Sequence, residues 1–245
     1  MQRRYLPGLI LALLIPVSLM AQSEQESPIP YFRYSVTAGI GATQLYSDLD
    51  QAQVGPGGYL RGNYFLRHGL SVGLELQEGL LRGVDDEPER GLTRRSLNFY
   101  HAATLGFQFQ PVKFLQDDHL RRIEYRNSWG KRALSSAYIG AGIGALYSLQ
   151  WNVRRVQDVD GRAFPEFSGK NHGLNYLANA NVGIELPLHN LKPNLLDSYV
   201  WNLVVNAQLN FAFDDELDGY SGESPANNTK NDTYGFLSLG VNLRF

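Results

Sequence analysis

From residue 31 onward, apolar side chains recur at every second position in one segment after another, with small or polar residues between them. A dyad repeat of this kind predicts extended strands with one apolar and one polar face. The first strand runs from Tyr31 to Thr43 and sets Phe32, Tyr34, Val36, Ala38, Ile40 and Ala42 against Arg33, Ser35, Thr37, Gly39 and Gly41. The second, Gly58 to Leu66, has Leu60, Tyr64 and Leu66 on the apolar face and Arg61 and Asn63 on the other. A quick turn through Arg67-His68-Gly69 leads to the third, where Leu70, Val72, Leu74 and Leu76 alternate with Ser71, Gly73, Glu75 and Gln77.

The fourth strand alternates Leu97, Phe99, Ala103, Leu105, Phe107 and Phe109 with Asn98, Tyr100, Thr104, Gly106 and Gln108. The fifth places Ala137, Ile139, Ala141, Ile143 and Ala145 opposite Gly140, Gly142 and Gly144, glycines that leave room for bulky neighbours. In the sixth, Leu174, Tyr176, Ala178, Ala180, Val182 and Ile184 oppose Asn175, Asn179, Asn181 and Glu185. The seventh, Tyr199 to Phe213, carries Trp201, Leu203, Val205, Ala207, Leu209 and Phe211 against Asn202, Asn206, Gln208 and Asn210. The last alternates Leu237, Leu239, Val241, Leu243 and Phe245 with Ser238, Gly240, Asn242 and Arg244. These segments predict an all-β fold: an eight-stranded antiparallel transmembrane up-and-down β-barrel, residues 31–245, apolar toward lipid and polar toward its lumen.

An even strand number puts both ends of the barrel on the periplasmic side. Segments 44–57, 82–95, 150–173 and 214–232 are then extracellular loops; the charged stretch Arg82 to Arg95 is expected to be solvated loop. The connections near 68, 110–135 and 187–197 are periplasmic. One of them is long: Pro111 to Ser135 sets Lys113, Asp117, Asp118, Arg121, Arg122, Glu124 and Arg126 around Phe114, Leu115, Leu120 and Ile123, the composition of a short amphipathic helix. A solvated excursion and a partner-docking turn built on Phe114, Leu115, Leu120, Arg121, Arg122 and Ile123 are both open.

The start of the chain changes the picture from a barrel to an exported barrel. Arg3 and Arg4 precede an apolar run from Leu9 to Met20 and then Ala21, the layout of a secretory signal peptide and too short to span a membrane. Residues 1–21 are expected to be removed and 22–30 to form a periplasmic N-terminal segment. The mature chain then carries 20 basic against 24 acidic residues, a balance that argues against nucleic acid as a partner. There is no cysteine, so the fold forms without disulfides. Glycine is abundant, with 25 residues, and the 14 Tyr and 12 Phe fit strands and turns better than packed helices.

A soluble β-sandwich also alternates, but its solvent face would hold many Lys and Glu. Here the polar face is mostly Gly, Ser, Asn, Gln and Thr, and the charges gather in loops. Aromatic residues near strand ends (Tyr31, Tyr34, Trp151, Tyr199, Trp201 and Phe213 among them) fit the two interfacial girdles of a membrane barrel. Terminal Phe245, with Leu243 and Val241 before it, has the form of the signal read by the outer-membrane barrel assembly machinery.

Several motifs carry a resemblance. Ala38-Gly39-Ile40-Gly41-Ala42-Thr43-Gln44-Leu45-Tyr46-Ser47-Asp48-Leu49 is similar to the first strand and "Gly-Asp-Leu/Asn" exit of small outer-membrane β-barrel proteins common in Bacteroidota, with Ser47 where glycine is usual. Leu70 to Glu75 resembles their third strand, and Leu217-Asp218-Gly219-Tyr220 with Asn231 to Gly240 their final hairpin. The resemblance spans nearly the whole mature chain and implies architecture and lineage more than task. That broad group includes the small barrel component of the type IX secretion system, which attaches to a periplasmic ring.

Candidate chemistry is sparse. An eight-stranded barrel is filled by side chains, so the inward charges Arg33, Arg61, Glu75, Glu185 and Arg244 are expected to pair in a lumen network rather than line a channel. Among the histidines, His68, His119 and His189 fall on the periplasmic side and His101 on the lipid face. Only His172, near Ser168 and Glu166, is placed for chemistry at the outer leaflet. Asp158-Val159-Asp160-Gly161 and Asp214-Asp215-Glu216 with Asp218 offer oxygen ligands without the spacing of a dedicated Ca²⁺ loop. No catalytic, cofactor or metal residue is therefore assigned. The expected role is a non-enzymatic barrel of the outer membrane, a structural anchor or accessory subunit of an envelope complex. Its partners would be outer-membrane lipid, the assembly machinery and periplasmic or outer-membrane complex subunits; a lipid-modifying enzyme and a narrow channel are the alternatives.

Overall fold

The computed structural model describes residues 32–46, 51–87, 92–115, 129–151, 158–159, 162–163, 172–188, 199–213, 217 and 232–245. The expected signal peptide and the segment 22–30 lie outside them. In chain order the elements are β1 (Tyr34–Tyr46), β2 (Gln51–Arg67), β3 (Leu70–Glu87), β4 (Leu92–Phe109), α1 (Pro111–Phe114), α2 (Trp129–Ser135), β5 (Tyr138–Gln150), β6 (Asp158–Val159), β7 (Arg162–Ala163), β8 (His172–Pro187), β9 (Val200–Ala212) and β10 (Thr233–Arg244).

Eight of these strands close into one barrel in the order β1-β10-β9-β8-β5-β4-β3-β2. Every pairing in the ring is antiparallel, and β1 closes it by pairing with β2 on one side and β10 on the other. Closure leaves no unpaired strand edge, which is what a sheet surrounded by hydrocarbon requires. The period of two has a direct outcome in burial. Along β10, Tyr234, Phe236, Ser238, Gly240 and Asn242 are buried and Leu237, Leu239 and Val241 are exposed. The apolar face points out around the ring: Ile40, Leu74, Leu105, Ile143, Val182 and Leu237, from six different strands, are each more than half exposed. Polar residues are buried inside, among them Thr37, Asn63, Gln77, Thr104, Asn179, Asn206 and Asn242. This inverts the usual relation of core and surface. Among the described residues no helix is long and apolar enough to cross a membrane.

The strands outrun the sequence-based boundaries at the end that carries the long loops. β1 continues to Tyr46 and β2 begins at Gln51, so most of segment 44–57 is strand rather than loop. The charged stretch after Leu81 is likewise not simply loop: β3 reaches Glu87 and β4 starts at Leu92, in a register that sets Asp85 opposite Arg94. Charge excludes a strand from hydrocarbon but not from water. The loop at 150–173 contains a small hairpin in which Asp158–Val159 pairs with Arg162–Ala163. The two residues between these strands, Asp160-Gly161, lie outside the described residues.

At the other end the β2–β3 connection is a tight turn. Gly69 holds φ at +80° in the β2–β3 turn, a value glycine tolerates and L side chains rarely adopt. A Cβ there would sit 2.5 Å from the backbone nitrogen of Phe114, because α1 lies against this turn, and the Gln110 N–H donates to the Gly69 carbonyl at 2.7 Å. The described parts of segment 111–135 are helical, α1 and α2, and contain no added strand.

Candidate functional site

Among the described residues the lumen gathers most of the buried charged and amide groups, and it is layered. Toward the turn end, Arg61 of β2 and Glu75 of β3 are direct cross-strand partners whose side chains both point inward. Arg61 Nε donates to Glu75 Oε2 at 2.7 Å, and its Nη2 contacts the same oxygen. The guanidinium lies 5.9 Å from the centre of the Tyr59 ring. A second pair joins Arg244 Nη2 of β10 to Glu185 Oε2 of β8, reaching across β9. The Arg244 guanidinium also covers the Phe65 ring at 4.6 Å, and the Glu185 carbonyl accepts a hydrogen bond from Ser136 Oγ just beyond α2. Arg33 is half-buried at this same end, and its carbonyl accepts the Phe65 N–H at 2.8 Å. Opposite charges thus neutralise one another in place in these two pairs.

Amides and rings fill the space around these pairs. Asn242 Nδ2 donates to Thr37 Oγ1 at 2.7 Å, Asn63 Nδ2 to Ser35 Oγ at 3.3 Å, and the Tyr138 hydroxyl to Asn206 Oδ1 at 3.0 Å. Glycines on the lumen wall make room for the larger groups. A Cβ at Gly240 would come within 2.5 Å of the Tyr59 hydroxyl, and one at Gly140 within 2.3 Å of Asn181 Oδ1. A cavity of about 20 Å³ remains beside Arg61, Glu75, Thr104 and Asn179, room for about one water molecule.

Toward the loop end the lumen changes character. Leu45, Leu81, Tyr100, Leu146, Leu177, Ala212 and Tyr234 form a buried apolar layer inside the ring, and Leu217 completes it. Leu217 belongs to the connection after β9, yet it is fully buried. Its N–H donates to Asp232 Oδ2 at 2.8 Å, and its carbonyl accepts from Asn98 Nδ2 at 2.7 Å and Gln150 Nε2 at 3.2 Å. Beneath it, the hydroxyls of Tyr100 and Tyr234 both donate to Gln77 Oε1, at 3.1 and 2.9 Å. The expectation of a lumen polar throughout, under solvated loops, missed this layer. A signal was present: Leu80-Leu81, Ala145-Leu146 and Tyr176-Leu177 break the alternation by putting an apolar residue on both faces.

The other candidate residues fall as follows. Phe114 packs on Phe109 at 5.1 Å between ring centres, with the Arg67 guanidinium 5.0 Å over it, while Leu115 is largely exposed. Leu120, Arg121, Arg122 and Ile123 lie outside the described residues. Val241 and Phe245 face outward and are exposed, and Leu243, on the same face, is partly covered. Phe245 exchanges two backbone hydrogen bonds of 3.0 Å with Tyr34, and their rings stack at 6.1 Å.

One outward pair stands apart from the apolar wall. His101 of β4 and Glu78 of β3 are direct partners in register, with Nδ1 2.9 Å from Oε1. Phe99 meets the imidazole edge-on at 4.7 Å, and Tyr147 is the cross-strand neighbour on β5. The geometry is that of a base oriented by a carboxylate, but the adjoining outward positions are Leu76, Leu80, Phe99, Ala103 and Tyr147, without a serine, threonine or cysteine to activate. His172 opens β8 and is exposed; Ser168 and Glu166 lie outside the described residues. Among the described residues no group of three or more His, Asp or Glu could hold a metal ion.

No family model matches the chain, and no curated protein matches it. Among solved structures it is similar to Neisserial surface protein A (12% identity over 91% of this chain and 100% of that one, TM-score 0.44). It is similar to Ail, the attachment invasion locus protein of Yersinia pestis (13%, 88% and 100%, TM-score 0.45), and to OprG from Pseudomonas aeruginosa (11%, 90% and 99%, TM-score 0.37). These neighbours are small outer-membrane barrels; the barrel described above rests on the register of its own strands, not on them. They give no support to the Bacteroidota kinship or the type IX secretion link expected from the sequence motifs.

Proposed function

We propose that this chain is a non-enzymatic β-barrel of the Gram-negative outer membrane that acts through its surfaces, as a structural anchor or an accessory subunit of an envelope complex. The observation that carries this reading is the combination of an apolar outer wall with a lumen packed shut: charge pairs and amides toward the turn end, an apolar layer closed by Leu217 toward the loop end. In this orientation the turn end is periplasmic and the loop end extracellular. Lipid covers the wall, and the assembly machinery reads the strand ending in Val241, Leu243 and Phe245. Exposed Val112 and Leu115 on and beside α1, and Leu134 on α2, give the periplasmic face an apolar contact surface for a partner subunit.

The test is co-purification from detergent-solubilised membranes of the intact chain and of a variant lacking residues 116–126. Loss of specific partners from the variant supports docking at this face; an identical set of partners sinks it. The enzyme reading gains only the His101–Glu78 pair, which lacks a nucleophile. It predicts a changed lipid mass spectrum when His101 or His172 is replaced by alanine, and the anchor reading predicts none.

A further inference from the structure

The outer wall of the barrel is not uniformly convex. A trough of about 580 Å³ crosses β8, β9, β10 and β1, lined on their outward faces by Ala42, Ala180, Val182, Ala207, Leu209 and Leu237. Its volume falls in the range of small-molecule sites, about 300–1,000 Å³. Among the described residues none that lines it is charged.

The side of the trough nearer the loop end carries a polar pair. Gln44, on the outward face of β1, accepts a hydrogen bond at Oε1 from the Tyr46 hydroxyl at 3.2 Å. The Tyr46 ring leans along the wall toward Gly235 of β10, the cross-strand partner of Gln44, where an added Cβ would meet Tyr46 Cε2 at 3.4 Å. Gln44 Oε1 is thereby taken up, and Nε2 has no acceptor among the described residues.

Depth makes this donor informative. Gln44 stands ten residues beyond Tyr34, whose ring stacks on Phe245 at the turn end. At about 3.3 Å per residue and a tilt of about 40°, that span climbs about 25 Å, the height of the apolar band. The amide therefore sits where hydrocarbon gives way to the first polar groups of a lipid, its ester carbonyls, which accept hydrogen bonds and donate none.

We propose that the trough holds one acyl chain of an ester-linked lipid of the outer leaflet, with the ester carbonyl accepting a hydrogen bond from Gln44 Nε2. The proposal rests on the membrane location argued above. A free fatty acid would bring a carboxylate, and the trough has no cation to meet it. A second copy related by a two-fold axis would set the concavity against itself and leave a void.

The test uses the folded, heat-modifiable barrel purified from outer membranes. Native mass spectrometry follows its retention of dipalmitoyl phosphatidylethanolamine and of the dihexadecyl diether analogue, which lacks both carbonyls. The intact chain should retain one lipid and favour the diester by roughly fivefold, the effect of one hydrogen bond. Gln44→Leu should erase that preference, and Ala207→Phe should lower retention of both lipids. Ala103→Phe, the same change on the exposed face of β4, should do neither. Equal retention of diester and diether by the intact chain overturns the proposal. So do a preference that survives Gln44→Leu, retention that Ala207→Phe leaves unchanged, and a dimer that Ala207→Phe separates. Gln44→Leu decides the matter should Ala207→Phe not fold. A chain missing from the outer-membrane fraction refutes the membrane location together with the site, whereas an inserted barrel without lipid preference refutes the site alone.

Discussion

Replacing Arg61 by methionine would leave Glu75 as a buried carboxylate without its cation. Arg61 and Glu75 are 7% and 4% exposed, so neither draws much help from bulk water. Breaking a buried pair by removing one partner typically costs about 3–5 kcal/mol, whereas exchanging both members for neutral residues of similar volume is often close to neutral. The position of this pair within that range follows from its geometry. Both nitrogen contacts fall on Oε2, and Oε1 makes no hydrogen bond to protein, so the carboxylate is held on one side only. The lower end applies: Arg61→Met should cost about 3 kcal/mol, roughly a hundredfold in the unfolding equilibrium. Arg61→Met combined with Glu75→Gln should recover most of it. The assay is urea unfolding of the barrel in lipid vesicles, followed by tryptophan emission and by the heat-modifiable shift on gels, arranged as a double-mutant cycle. A coupling energy below about 1 kcal/mol, or a double variant as unstable as the single one, would refute the account of the lumen as charge pairs that must be kept or removed together.

Gly69→Ala should cost about 1–3 kcal/mol, since the added methyl meets a positive φ and the backbone of Phe114 at once; a lowered urea midpoint checks it, and an unchanged one would mean that α1 moves away without penalty. Ile143→Arg puts a charge on the exposed apolar wall and should lose about 2–4 kcal/mol in a bilayer; a change within about 0.5 kcal/mol, usual for a solvent-facing surface, would contradict lipid contact. The exposed Glu78–His101 pair should contribute at most about 1 kcal/mol, so His101→Ala should shift the urea midpoint little; a loss of several kcal/mol would show that the pair is more than a surface contact. Removal of Phe245 takes away two backbone hydrogen bonds and a stacked ring from the β1–β10 seam; the yield of assembled barrel in outer membranes should fall, while the unfolded fraction recovered from the cells rises.

The alternation made the barrel legible because it is a local property: each strand announces its own two faces, and eight such segments close into one ring. Strand ends were less legible for a physical reason. The sequence changes character where lipid stops, at Leu81-Arg82 for instance, but hydrogen bonding continues until water and chain entropy win, at Glu87. Inward parity also put Arg61, Glu75, Glu185 and Arg244 on the lumen side, but which arginine meets which carboxylate depends on register between strands up to 59 residues apart in sequence. The place of Leu217 was hidden more deeply. Leu217 stands in a polar segment with nothing periodic around it, and its burial depends on Asn98, Gln150 and Asp232 being brought together from three separate parts of the sequence.

The two halves of the lumen also differ in what fills them. Charge pairs near the turn end are anchored in paired strands on both sides, so they can part only if the ring itself distorts. The layer near the loop end is completed by one residue held through side chains. Leu217 is the member of that layer that lies outside a strand: the eight others, Leu45, Leu81, Tyr100, Ala102, Leu146, Leu177, Ala212 and Tyr234, all belong to strands of the ring.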